Sequence, residues 1–225
     1  GAPSEISEPR AAASRDVMDR VLRELARRYG VPRSRGRDDQ DPYQVLVACV
    51  LSLRTKDEVT DAAAERLFRR APDPASMQRL REATIARLIF PAGFYRRKAA
   101  QIRALSRLLL ERHGGRVPDT MVALLALPGV GRKTANLTIT IGHGKPGICV
   151  DTHVPRITNR LGWVRTRHPD ETEMALRALL PRRWWIPINL TLVRHGQQVC
   201  KPISPLCSAC AVSAHCPRLG VLRSR

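Results

Sequence analysis

The sequence predicts an all-α protein, and three observations carry that expectation. Apolar residues recur at the three-to-four spacing of a helix face along most of the chain. The breaks between these stretches fall at Pro and Gly, with polar caps at the expected helix starts. The one stretch that alternates like a strand, Leu137-Thr138-Ile139-Thr140-Ile141, has no second strand nearby to pair with. Burial is therefore expected to hold it helical against its β-branched composition.

At 225 residues the chain can bury the core of one large domain or two small ones, and 43% hydrophobic residues exclude a disordered class. The formal net charge of +19 favours a polyanionic partner, nucleic acid ahead of a membrane surface; a merely basic surface is the alternative. No apolar run is long enough to span a bilayer, so no membrane partner is expected. The N-terminus has no apolar secretion core, which leads to the expectation of a soluble intracellular protein.

Taken in order, residues 1–14 are rich in Ala, Ser, Pro and Glu and are expected to be a disordered tail. Val17, Val21, Leu22, Leu25 and Tyr29 mark a helix over 16–29 that Gly30 stops, and a charged loop follows over 31–41. Asp41-Pro42 pairs a capping acid with a proline in the first helical position, ahead of the nearly all-apolar, central run 45–53. An amphipathic helix over 57–69 ends at Pro72 and Pro74, and short helices are expected over 76–81 and 84–89. Residues 90–94 form a loop, and a long basic helix over 96–113 ends at Gly114-Gly115. Further helices are expected over 151–161, 171–180 and 185–199, with Trp184 and Trp185 packed inside.

An apolar helical run over 121–127 leads into Leu127-Pro128-Gly129-Val130-Gly131-Arg132-Lys133. Pro128 ends the first helix, Gly129 and Gly131 permit a tight turn, and a second helix starts at Arg132. Backbone N–H groups at a helix start, beside Arg132 and Lys133, suit a phosphate, so this is the pattern of a helix-hairpin-helix. An ordinary helix–helix turn remains open from these residues alone. Lys133 follows the turn directly, in surroundings read as otherwise apolar, where it can reach past a gripped phosphate as a nucleophile.

Cys200, Cys207, Cys210 and Cys216 have the spacing C-x6-C-x2-C-x5-C. Four thiolates in one short loop can close around a metal centre, and a single close pair flanked by single cysteines suits an iron–sulfur cluster, with zinc as the alternative. Cys49 and Cys149 read as buried small hydrophobes and His215 as a surface histidine. Asp151, in Val150-Asp151-Thr152-His153, is either a helix N-cap or a carboxylate able to stabilise a cationic transition state. Phe94, after a Pro-Ala-Gly turn, is either a wedge into a base stack or part of the core.

Together, the stretch from Leu127 through Lys133 to Thr134-Ala135-Asn136, the Val150-Asp151-Thr152-His153 motif and the cysteine cluster resemble the endonuclease III family of base-excision-repair DNA glycosylases. The likeness runs from about Pro42 to Cys216 and takes in Leu51-Ser52, Thr55, Asp57, Gly93-Phe94-Tyr95 and Lys98. It implies a six-helix barrel with the hairpin over 35–145, and a [4Fe-4S] domain made of 15–34 and 146–225, with duplex DNA held between them. It implies that Lys133 attacks C1′ of a flipped-out damaged nucleoside, that Asp151 assists, and that a Schiff base leads to β-elimination at the site. The implied substrates are oxidised pyrimidines of the thymine glycol type and abasic sites, acted on by a monomer in the bacterial cytoplasm (nucleoid) or the nucleus. The implied DNA contacts are Gly129, Val130, Gly131, Arg132, His153, Arg194 and Lys201, with Arg54 and Phe94 entering the duplex from opposite sides.

The chain departs from the common family pattern at Arg54, where Gln is usual, and this bears on the preference for the opposite base. A monofunctional mismatch glycosylase and a non-enzymatic DNA-binding module are the competing readings. Relatives of the first kind usually lack the lysine at the position of Lys133, and loss of Lys133 or Asp151 would have favoured the second.

Overall fold

The structure is a computed structural model that describes residues 13–32 and 40–225. The expected disordered tail at 1–14, apart from its last two residues, and most of the charged loop at 31–41 lie outside the described residues. The regular secondary structure of the described chain is entirely helical, with no strand among the described residues, and it forms two compact units. Among the described residues, one unit is continuous, 40–149; the other combines 13–32 with 150–225.

α1 (Arg15–Arg28) starts on Ser14, whose side chain accepts from Val17 N. Asp16 lies in its first turn and Arg27 and Arg28 in its last, which are the signs the helix dipole favours. Its buried stripe is Met18, Val21, Leu22, Leu25 and Ala26.

The continuous unit begins with α2 (Pro42–Ser52), where the Asp41 carboxylate accepts from Tyr43 N at 2.8 Å. Tyr43, Leu46, Val47, Val50 and Leu51 are all buried, which makes α2 the central helix of this unit. α3 (Asp57–Arg70), α4 (Pro74–Arg79), α5 (Glu82–Ile89), α6 (Tyr95–His113) and α7 (Met121–Leu125) complete the barrel around it. Their shared core includes Leu67, Met77, Ile85, Ile102, Leu105 and Leu124. An Asp73–Ser76 capping box opens α4, and Gly114 in the left-handed region closes α6.

α8 (Arg132–Leu137) passes directly into a π-helical turn, Thr138–Gly142. The strand-like stretch is thus helical, but wider than an α-helix. Two hydroxyls bond back to the chain here: Thr138 Oγ1 donates to Thr134 O and Thr140 Oγ1 to Asn136 O, each at 2.8 Å. Such back-bonding competes with the regular helical ladder. The expected first hairpin helix over 121–127 is shorter, ending at Leu125 two residues before Leu127-Pro128.

In the second unit, α1 packs against α11 (Pro187–Gln198), and α9 (His153–Arg160) against α10 (Pro169–Leu179) and α11. α11 starts at Pro187 rather than near residue 185, because a 3-10 turn, Arg182–Trp184, precedes it. Trp184 is buried, as expected, and its indole N–H donates to Asp19 at 2.6 Å, tying that turn to α1. Trp185 is half-buried between Arg177 and Arg182.

Candidate active site and nucleic-acid interface

The hairpin turn is built by close backbone contacts. Leu127 N donates to Leu124 O and Val130 N to Leu127 O, while the Leu127 and Val130 side chains are buried as anchors. Gly129 has φ +74, and a Cβ there would lie 2.9 Å from the Gln101 side chain, so both conformation and space favour glycine. Gly131 is the N-cap of α8, extended, exposed and without any side chain to cover the helix start. Arg132 is half-buried and Lys133 is exposed. The apolar surroundings expected for Lys133 are therefore not found: it stands outside the buried face of Thr134, Ala135 and Asn136. What the turn gives Lys133 is reach. Cys49, one helix away, is half-buried rather than fully buried, and the burial it has raises its thiol pKa to about 12.

Arg54 and Phe94 meet in the same unit. The Arg54 guanidinium lies 5.6 Å from the Phe94 ring centroid. Both side chains are exposed, Phe94 to 61%, so Phe94 is not part of the core. Both residues adopt left-handed backbone, with φ 52 at Arg54 and φ 55 at Phe94. Their two segments touch directly: a Cβ on Gly93 would lie 2.5 Å from Arg54 O, so no side chain fits there. Gly93 N donates to Thr55 Oγ1 at 2.9 Å. Lys98, four residues into α6, is buried against this junction, and burial lowers its pKa from the usual lysine value.

Asp151 lies in the other unit, half-buried, ahead of α9. The residue in the N-cap position is Thr152, not Asp151. The Asp151 carboxylate nevertheless serves the helix start: Oδ1 accepts from Thr152 Oγ1 at 3.0 Å and from His153 N at 3.3 Å. The backbone N–H of Asp151 donates to Asn189 Oδ1 on α11 at 3.0 Å, which fixes its position. Thus the cap and the functional carboxylate are compatible roles for one side chain.

α9 then connects Asp151 to the cysteine loop through residues that the sequence did not single out. Arg156 Nη2 lies 2.7 Å from His153 Nδ1 and donates to Cys200 O at 2.8 Å. Arg160 donates to Lys201 O, Pro202 O and Cys200 Sγ, the last at 3.3 Å. The spacing of His153, Arg156 and Arg160 on one helix face was the available signal. Gly196 of α11 packs against the His153 ring, leaving no space for a Cβ.

Cys200, Cys207, Cys210 and Cys216 line one cavity, walled by Ile157, Leu161, Val199 and Val212, and all are free thiols. No three His, Cys, Asp or Glu side chains among the described residues come together as a single-ion site. The four thiols instead surround a common space. His215 is half-buried but does not line this cavity. His195, buried on α11, holds Tyr29 OH at 2.9 Å on Nδ1 and faces Cys210 Sγ at 3.8 Å with Nε2. Burial, with the nearby charges of Arg28 and Arg156, lowers the His195 pKa to about 4, so the ring is neutral at pH 7. Arg194 is half-buried and donates to Tyr29 O, so part of its guanidinium serves the end of α1. Lys201 is exposed on the loop.

Residues 47–182 match the family described as HhH-GPD superfamily base excision DNA repair protein. The chain is 46% identical over 200 residues to Endonuclease III of Thermotoga maritima, covering 89% of this chain and 92% of that protein. The chain belongs to the endonuclease III family of helix-hairpin-helix DNA glycosylases and AP lyases. It is also 46% identical over 178 residues to Endonuclease III-like protein 1 of Gallus gallus, covering 78% of this chain and 63% of that longer protein. A solved structure described as a trapped Endonuclease III-DNA covalent intermediate, an estranged-adenine complex, is 30% identical with a TM-score of 0.81, covering 92% of this chain and 97% of that one. The all-α fold with its hairpin and the base-excision chemistry follow for the endonuclease III-type enzyme described here.

Proposed function

We propose that Lys133 is the covalent nucleophile of this DNA glycosylase and AP lyase, acting on oxidised pyrimidines of the thymine glycol type in duplex DNA. The observation that carries this reading is the position of Lys133: an exposed amine in the first turn after the Gly129-Val130-Gly131 turn. A target base is inaccessible in the stack, so the nucleotide must be flipped out. As the glycosidic bond stretches, its electrons pass to the departing base and the sugar becomes cationic. Asp151 stabilises that cation electrostatically. Lys133 Nζ bonds to C1′ and loses a proton; ring opening leaves an imine, and loss of a C2′ proton expels the 3′ phosphate. Gly129, Val130, Gly131 and Arg132 hold a backbone phosphate, with His153, Lys201 and Arg194 as further contacts. The description of a relative as a trapped covalent DNA intermediate supports a covalent route.

The four clustered cysteines supply the donor set of a [4Fe-4S] group: four thiols line one cavity, and one close pair flanked by single cysteines suits a cluster better than the paired C-x2-C of structural zinc. When bound, the cluster supplies a structural anchor for this loop and no step of base removal. Arg156 and Arg160 brace the same loop from α9 and partly offset the thiolate charge. The enzyme works as a monomer, where genomic DNA is, in a bacterial cytoplasm or a nucleus; no described helix is long and apolar enough to cross a membrane.

Borohydride reduction tests the nucleophile. Wild type should be trapped covalently on lesion DNA and should nick abasic DNA, while Lys133→Gln should do neither. A Lys133→Gln variant that crosslinks and nicks at the wild-type rate refutes the assignment. A wild type that releases bases without nicking makes the protein monofunctional.

A further inference from the structure

Lys98 has no place in the chemistry described above, yet it is 4% exposed and its ammonium is fully engaged. Its Nζ donates to Leu51 O at 2.8 Å, to Leu53 O, and to Thr55 Oγ1 at 3.0 Å. An ammonium has three N–H donors, and all three are used: one on the last turn of α2 and two on the loop that carries Arg54. The Thr55 hydroxyl is equally committed. It accepts from Lys98 and from Gly93 N and donates to Leu53 O at 3.2 Å. Lys98 itself is one turn from Phe94, whose carbonyl accepts from Lys98 N at 3.0 Å.

One buried cation therefore joins the Arg54 loop to the Phe94 turn, the only segments among the described residues in which exposed, left-handed, non-glycine residues stack on each other. We propose that Lys98 is a positioning residue for entry into the duplex: it locks Arg54 and Phe94 in the one relative geometry that fills the hole left by a flipped nucleotide. This rests on the reading that Arg54 and Phe94 are the pair that enters the base stack. A floppy wedge pays its ordering entropy at the moment of flipping; a clamped one does not. Lys98 thus acts on flipping and leaves the attack at C1′ unaltered.

The test separates these steps in the full-length protein. Lys98→Met keeps the apolar stem and removes the three donors. It should slow single-turnover excision from lesion duplex by at least about tenfold, the scale of a small misplacement at a reacting centre. It should also reduce the fluorescence rise of 2-aminopurine placed opposite the lesion, which reports the unstacked partner base. Cleavage of an abasic site in single-stranded DNA, where no partner strand must be parted, should stay within about twofold of wild type. Thr55→Val, which removes only the shared hydroxyl, should show the same split in weaker form, and it decides the matter if Lys98→Met does not fold. Equal slowing on duplex and single strand, or wild-type excision and fluorescence on the duplex, overturns the proposal. Arg54→Ala and Phe94→Ala distinguish its failure from that of the wedge reading. If these two slow duplex excision and the Lys98 and Thr55 variants do not, positioning alone fails; if they leave it unchanged, the wedge reading itself fails.

Discussion

Replacing Asp151 by Asn removes a charge while keeping nearly all of the surrounding structure. The carboxylate Oδ1 accepts from Thr152 Oγ1 and His153 N, and an amide oxygen can accept both. The bond from Asp151 N to Asn189 is untouched. What disappears is the favourable effect of an anion at the start of α9, about 0.3–1 kcal/mol, and the attraction between the carboxylate and the nearby Arg156 guanidinium, so the loss in folded stability should be small. The catalytic loss should be larger. Two unit charges 4 Å apart attract by about 4 kcal/mol at an effective dielectric of about 20, and the amide dipole returns part of this. A net loss of about 3 kcal/mol in the transition state is a rate reduction of about 10². Single-turnover base release from an oxidised-pyrimidine duplex should fall by that factor, while binding to an uncleavable abasic analogue stays within about threefold, since the phosphate contacts are unaltered. A base-release rate within about threefold of wild type would reduce Asp151 to a residue that holds the start of α9.

The remaining expectations concern the cluster, the fold and the partner base. Purified protein should be brown with about four iron atoms per chain, as a [4Fe-4S] group requires, and Cys207→Ser should lose iron and solubility together; a colourless active protein with one zinc would refute the assignment. Asp19, held by Trp184, Arg183 and Arg23, has its pKa lowered from 3.8 to about 2. Its folded pKa lies below its unfolded one, so its contribution is present above pH 3.8 and is lost as pH falls through about 2. Asp19→Asn should therefore lower unfolding stability by about 1–2 kcal/mol at pH 7 and by much less near pH 2, and equal losses at both would refute it. Arg54 can only donate, which suits the two acceptors of guanine better than the donor–acceptor edge of adenine. Excision should be faster opposite guanine, and Arg54→Gln should flatten the ratio without abolishing nicking; an unaltered ratio would confine Arg54 to phosphate contact.

What was legible in the sequence was local. Asp41-Pro42 announced α2 because an acid at the cap and a proline in the first turn act within three residues, and the structure has Asp41 on Tyr43 N. The all-helical character, the hairpin turn and the four-cysteine loop were legible for the same reason. Asp151 read as a cap, and its carboxylate does serve the helix start, but which of two adjacent polar residues occupies the cap position depends on backbone angles that composition does not specify. The exposure of Lys133 was not legible, because which side of a six-residue helix faces outward is decided by its packing partners. Lys98 was further out of reach. Two of its three acceptors are backbone carbonyls 45 and 47 residues away in sequence, and a carbonyl carries no mark of its residue type.

The same limit explains why the left-handed backbone of Arg54 and Phe94, and the contact between their side chains, was not legible in the sequence. A non-glycine residue in the left-handed region costs roughly 1–2 kcal/mol, and here it occurs twice, φ 52 and φ 55, at side chains in contact. Phe94 adds the cost of an aromatic ring left in water. Neither residue gains core burial in return; the compensation lies beneath them, in Lys98, Thr55 and a glycine that no other residue can replace. Folding alone would be better served by a glycine at either position. If Arg54 and Phe94 enter the duplex as proposed, DNA supplies the contacts that offset this cost, and the Lys98 clamp should register in duplex excision before it registers in the chemistry of an unpaired strand.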